Sequence, residues 1–322
     1  MLKLLLVAAA LTAACGAHAQ ADYPNKPIRF ITISAAGAGG DAIARLFAEK
    51  MGPILKTTMF VDNKPGAAGA IGADAGAKAA PDGYTILLGG FTSHVLLPAV
   101  RPKLPYDPPK DFDPIGQIGT ASIVLMAPLD FPANNVKELV AMAKSKPGEL
   151  LYGSWGIGST GHFCGELLAQ RAQVKWTHVP YKSMAPLQND VMGGQIKLAF
   201  FDTASGAALL KTGRVKALGM CVARSPMMPE VRGFEEDGID FSGKTVTQPM
   251  WALYAPAGTP KPILEKLSSA LRQSLEMPDV RERMLSFGVK VEFIGTEPFR
   301  KVLADGIQQW REIAVKSNIV ID

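Results

Sequence analysis

The sequence predicts an α/β protein of two domains. Two observations carry that reading. Short apolar runs alternate with longer helical patterns, and the alternation restarts after a proline-rich stretch, residues 98–114. The chain has 322 residues, 48% hydrophobic and 20% charged, which is long enough for two ordinary cores and too apolar for disorder.

The elements follow in order. Residues 28–33 read as a buried strand, closed by the small-residue loop 34–40. Asp41 opens a helix with Ile43, Leu46, Phe47 and Ile54 on one face. Residues 58–61 form a second strand and 63–66 a turn, before an Ala-rich helix over 69–80. Residues 84–88 are a third strand, and strand–helix–strand order implies right-handed crossovers and a largely parallel sheet. Beyond the proline-rich stretch, 115–126 is one strand-like run, 136–144 a helix and 150–152 a strand. The loop 153–161 leads into a helix ending near Arg171, and 176–179 and 196–201 are strands flanking another helix. Residues 250–255 make a last strand. The tail is expected to be all helical, over 262–275, 278–287 and 298–315, with proline at or near each first turn.

The first residues indicate export. Lys3, the apolar run 4–14 and Ala17-His18-Ala19 have the pattern of a secretory signal peptide cut after Ala19. The run is shorter than the roughly 20 residues that span a bilayer. A looser alternative is lipid attachment at Cys15, within Leu11-Thr12-Ala13-Ala14-Cys15. After cleavage Cys164 and Cys221 remain, and they are expected to be two separate, half-buried thiols. The net charge of +5 is spread without a basic cluster, so nucleic acid is not an expected partner.

Two glycine loops carry the functional signal. Gly156-Ile157-Gly158-Ser159-Thr160-Gly161 matches a dinucleotide fingerprint between a strand and a helix. The acidic residue such a fold places about 20 positions on, for the ribose, is absent from the stretch 177–182. No nicotinamide or other cofactor is therefore expected. Free backbone N–H groups and the positive helix end still suit an anion, and Ser159 and Thr160 add hydroxyls. The loop Ala35-Ala36-Gly37-Ala38-Gly39-Gly40 offers the same arrangement earlier in the chain, and its small side chains let a ligand approach the backbone. Asp41 is a helix cap or an acceptor for a ligand amine or hydroxyl. Phe91 and Trp155 are core residues or rings on which a ligand stacks.

Catalytic patterns are thin. No G-x-S-x-G elbow surrounds Ser154 or Ser159, and the Ser159/His162 pair has no acidic orienter in sequence. Histidines 94, 162 and 178 lack metal-ligand spacing. A hydrolase remains the lesser alternative to a binding protein.

Ordered landmarks then bring a resemblance. They include Asn63-Lys64-Pro65-Gly66-Ala67-Ala68-Gly69, Pro81-Asp82-Gly83-Tyr84, Leu104-Pro105-Tyr106-Asp107, Gly158-Ser159-Thr160-Gly161-His162, Val179-Pro180-Tyr181-Lys182, Phe201-Asp202 and Pro256-Ala257-Gly258-Thr259-Pro260. In this series the chain resembles the Bug family, receptors of tripartite tricarboxylate transporters. The resemblance implies a two-lobed periplasmic binding protein of type II-like form, with a hinge and a ligand cleft between lobes. Lobe 1 would comprise 20–121 plus 249–322 and lobe 2 residues 122–248. It implies a monomeric, non-enzymatic receptor that binds a small carboxylate for membrane transporter subunits, or presents it to a membrane sensor. The implied ligand contacts are Ala36, Gly37, Ala38, Gly39, Gly40 and Asp41, then Gly158, Ser159, Thr160 and His162, and Asp202 from the second lobe. The chain departs from the family pattern at Ile33, Ala36, Lys64, Gly161 and Trp155, which points toward a flat or aromatic acid.

Overall fold

The computed structural model describes residues 23–101, 103–221, 224–239 and 249–316. The expected signal peptide and its cleavage site lie outside the described residues. Among those described, the chain runs β1 (Ile28–Thr32), α1 (Gly39–Leu55), β2 (Met59–Asn63), α2 (Ala70–Ala77) and β3 (Thr85–Gly90). A wide turn of helix at Thr92–Leu96 continues into α3 (Leu97–Val100), followed by α4 (Pro108–Asp111), β4 (Phe112–Ala121) and β5 (Ile123–Pro128). Next come α5 (Val136–Ser145), β6 (Leu151–Ser154), α6 (Thr160–Ala172), β7 (Thr177–Pro180), α7 (Met184–Met192), β8 (Leu198–Asp202), α8 (Thr203–Leu210) and β9 (Val215–Cys221). The chain closes with β10 (Met250–Pro256), α9 (Lys261–Glu276), α10 (Pro278–Ser286), β11 (Val289–Gly295) and α11 (Thr296–Lys316).

The strands form two sheets, ordered β11-β4-β10-β3-β1-β2 and β7-β6-β8-β5-β9. Each is covered on both faces, and the alternation of side chains along a strand decides which residue goes to which face. In the first sheet, Ile28, Phe30, Ile86, Leu88 and Leu253 pack against α1 and α9. The opposite face, with Ile31, Leu87 and Tyr254, packs against α11 through Phe299, Leu303 and Trp310. In the second sheet, Val124, Ala199, Phe201 and Met220 meet Leu187 and Val191 of α7. Leu125, Leu198, Phe200 and Leu218 face α5 and α6.

Several expectations need correction. Neither sheet is largely parallel. β1 pairs in parallel with β2 and β3, but β10 is antiparallel to both β3 and β4, and β11 to β4. The second sheet mixes parallel β6 pairings with antiparallel β5 pairings. The strand-like stretch 115–126 is two strands, split at Ser122, one in each sheet. The tail is not wholly helical, because Val289, Val291 and Phe293 alternate with polar residues and form an edge strand. Cys164 and Cys221 are not separate thiols. Both are fully buried and joined by a disulfide with a Cα–Cα distance of 6.0 Å.

That bond links α6 to β9 across 57 residues of chain. Loop-closure entropy for that separation corresponds to about 4 kcal/mol as an upper figure. The double variant Cys164→Ala/Cys221→Ala is expected to unfold at clearly lower denaturant than the oxidised protein. Reducing the wild type with dithiothreitol should shift its midpoint in the same direction.

Candidate functional site

A cleft of about 520 Å³ lies where elements of the two sheets face each other. The first sheet contributes Ser34, Ala38, Gly39, Gly40, Gly90, Phe91, Thr92 and Trp251 to its walls. The second contributes Trp155, Thr160, Met184, Asp202, Thr203 and Ser205, and Phe287 comes from the end of α10.

The first loop is held from below. Asp41, 4% exposed, sits in the first turn of α1. Its Oδ2 accepts from the Gly37 amide at 2.9 Å and from Arg45 Nε at 3.0 Å, while Oδ1 accepts from Asn63 Nδ2 at 2.8 Å. Asn63 also donates to the Ser34 carbonyl at 3.0 Å, so one carboxylate and one amide fix both ends of the loop. Burial alone would raise the Asp41 pKa, but the bonds from Arg45, Gly37 and Asn63 more than reverse it and hold it at about 2. No side chain caps α1 at Ala38, so the first amides of this 17-residue helix stay available to an anion. Gly40 is required by space: a Cβ there would lie 2.1 Å from Ser34 Oγ and 2.9 Å from Trp251 Cη2.

The second loop is a closed polar network. Ser159 caps α6, its Oγ accepting from the His162 amide at 3.2 Å and donating to Ser154 Oγ at 3.0 Å. Ser154 Oγ lies 2.7 Å from His178 Nε2. The Gly158 amide donates to His162 Nδ1 at 3.2 Å, which places the proton of neutral His162 on Nε2. The His162 and His178 rings stack at 4.0 Å. Burial lowers His162 to about 4, and burial together with the neighbouring His162 lowers His178 to about 3, so both are neutral at physiological pH. One turn further along α6, Tyr152 donates to Glu166 at 2.7 Å, and burial raises the Glu166 pKa.

The family model for the tripartite tricarboxylate transporter family receptor matches residues 43–319. The chain belongs to that receptor family. BugT of Bordetella pertussis is 30% identical over 302 residues, 93% of this chain and 92% of its own. A Rhodopseudomonas palustris protein solved with adipate is 26% identical with a TM-score of 0.79, covering 93% of this chain and 99% of that one. MatC from the same organism, solved with malate, is 28% identical with a TM-score of 0.73, covering 90% and 99%. The family is one of periplasmic binding receptors and not of enzymes.

In this receptor the sequence-derived candidates divide by position. Ala38, Gly39, Gly40, Phe91, Trp155, Thr160 and Asp202 line the cleft. Ala36 and Gly37 are exposed on the same loop outside the lining, and Asp41 is the strut beneath it. Gly158, Ser159 and His162 lie behind the wall, consumed by the cap and the histidine stack. Ser159 therefore meets the backbone of His162, not its ring, and no nucleophile–base pair forms there. Asp202 caps α8, with Oδ1 accepting from the Ser205 amide at 2.8 Å and Oδ2 from Ser205 Oγ at 2.9 Å. Among the described residues no three His, Cys, Asp or Glu side chains gather as metal ligands would. Sequence reasoning missed Trp251, Phe287 and Ser205. An aromatic at the mouth of β10 was visible, but the register that turns it toward the cleft was not.

Two pH effects follow. Asp41 is more acidic folded than unfolded, so its contribution is whole above about pH 4 and disappears as pH falls through about 2. The melting-temperature gap between wild type and Asp41→Asn should therefore narrow between pH 4 and pH 2. The histidines are less basic folded than unfolded, so the unfolded chain takes up protons first and stability declines as pH falls from about 6.5 toward 4. A His162→Asn/His178→Gln variant keeps acceptors near the Nδ1 and Nε2 positions. It should show a flatter melting profile over that range than the wild type.

Proposed function

We propose that this receptor captures a small carboxylate in the cleft between its lobes and delivers it to the membrane subunits of a tripartite tricarboxylate-type transporter. The observation that carries the reading is the exposed start of α1, uncapped by any side chain and opening on a cleft of about 520 Å³. Free amides and the helix dipole attract an anion there. Hydroxyls of Ser34, Thr92 and Thr160 add donors on both walls. That relatives have been solved with adipate and malate supports an acid of this size. An N-terminal signal peptide, removed after Ala19, would export the chain to the periplasm.

Lobe 1 comprises 20–121 and 249–322, and lobe 2 residues 122–248. In this reading the hinge lies at the two crossings, beside Ser122 and Pro249. Supporting it, the Ala121 amide donates to the Pro249 carbonyl at 2.7 Å, and Thr203 Oγ1 donates to the Ser122 carbonyl at 2.6 Å. Short bonds at the crossings let the strands bend as one unit while each sheet stays rigid. Ligand binding then shifts the lobes toward closure, and the closed surface is what the transporter recognises.

The test is a thermal-shift screen of protein unfolded and refolded to remove resident ligand. A ligand at 100 times its Kd should add about 2.7 kcal/mol of stability. At least one small mono-, di- or tricarboxylate is expected to raise the melting temperature without being turned over. Gly40→Ala is expected to abolish that shift and, because its Cβ would meet Ser34 and Trp251, to lower the ligand-free melting temperature as well. A folded protein that no carboxylate stabilises would overturn the receptor reading.

A further inference from the structure

The lining of the cleft narrows the ligand further. Among its described residues none is Lys, Arg or His, and one, Asp202, is a carboxylate. Among the described lining residues, positive potential comes from helix starts, each equivalent to roughly half an elementary charge. Asp202 already caps α8, and Ser159 caps α6. What is left matches one ligand carboxylate. A second or third would be desolvated opposite Asp202 with no counter-charge, which is strongly unfavourable away from water.

The apolar lining mixes four aromatic rings with aliphatic side chains such as Ile33, Ile123, Met184 and Met250. Trp155 and Trp251 come from opposite sheets, with Phe91 and Phe287 beside them. Each indole lies on a glycine near a helix start. A Cβ at Gly161 would be 2.7 Å from Trp155 Cζ3, and one at Gly40 would be 2.9 Å from Trp251 Cη2. Gly90 approaches the neighbouring atom of the same ring, Trp251 Cζ3, which lies 3.4 Å from where its Cβ would be. A ring resting on either indole therefore keeps its carboxylate within reach of first-turn amides. Each Asp202 oxygen accepts a single bond from Ser205, which leaves lone pairs for a further donor.

Resting on the receptor reading above, we propose that the ligand is an aromatic monocarboxylate carrying a hydrogen-bond donor on its ring. The ring lies against Trp155 and Trp251, the carboxylate meets the start of α1, and the donor bonds Asp202. Such a ligand meets both the amides at the start of α1 and the Asp202 carboxylate, and it adds no unpaired charge.

Titration calorimetry on refolded, ligand-free protein tests this with 3- and 4-hydroxybenzoate, benzoate, cyclohexanecarboxylate, adipate and citrate. One hydroxybenzoate is expected to bind at least tenfold tighter than benzoate, and benzoate tighter than cyclohexanecarboxylate. Adipate and citrate should be weaker than benzoate by tenfold or more. Asp202→Asn, which keeps a competent cap for α8, should erase the preference for the hydroxyl while leaving benzoate affinity within about threefold. Trp155→Leu should weaken the ring acids at least tenfold and leave adipate unchanged. Adipate or citrate binding as tightly as the ring acids would overturn this assignment and leave the receptor reading standing. Equal binding of benzoate and both hydroxybenzoates would remove the role given to Asp202. If no acid binds to folded protein, the receptor reading fails together with the assignment.

Discussion

The two halves of the molecule meet on Trp310. This fully buried indole of α11 takes Phe91 edge-on at 5.4 Å and Phe163 of α6 at 5.3 Å. Phe91 is part of the cleft wall, and Phe163 sits one turn into the helix that follows the second glycine loop. Aromatic pairs of this geometry contribute about 0.5–1.5 kcal/mol each beyond area burial. Their larger effect is positional. The same apolar cluster runs from Ile31 and Leu87 in the first sheet to Phe200 and Leu218 in the second. Trp310 is therefore one of the side chains through which the two halves touch. α11 thus packs behind elements of both loops, which lie far earlier in the chain.

The cleft is built by satisfying polar groups behind it. Asp41 and Asn63 tie the first loop, and the serine–histidine network ties the second. In both, the side chains that sequence reasoning nominated as ligand contacts are spent on holding backbone, which leaves amides and glycine surfaces to face the opening. A loop held this way presents its donors without reorganisation, the condition under which a small ligand binds tightly.

Much of this was legible in the sequence, and the gaps have physical causes. Most expected strands and helices are present within a few residues, because period-2 and period-3.6 patterns are local. The break at Ser122 was hidden inside one strand-like stretch, 115–126. Both β4 and β5 are buried on two faces, so neither alternates. β11 could have been found, since Val289, Val291 and Phe293 do alternate. The glycine loops were visible through their small residues. Trp251 was not, because its place is set by pairing between Gly90 and Gly119, partners that no local pattern reveals. The Cys164–Cys221 bond was illegible for the same reason: a helix and a strand 57 residues apart meet only in three dimensions.

That bond also gives the molecule a history. Folded domains hold only about 5–15 kcal/mol in reserve, so a cross-link of this span is a large part of the total. Before oxidation, α6 and β9 are held by packing alone, and the lobe that contains them opens more readily. A chain that crosses a membrane unfolded benefits from being loose on the reducing side and firm on the oxidising one. In an oxidising compartment such as the periplasm, the cysteine pair would give the receptor a rigidity that it lacks while reduced.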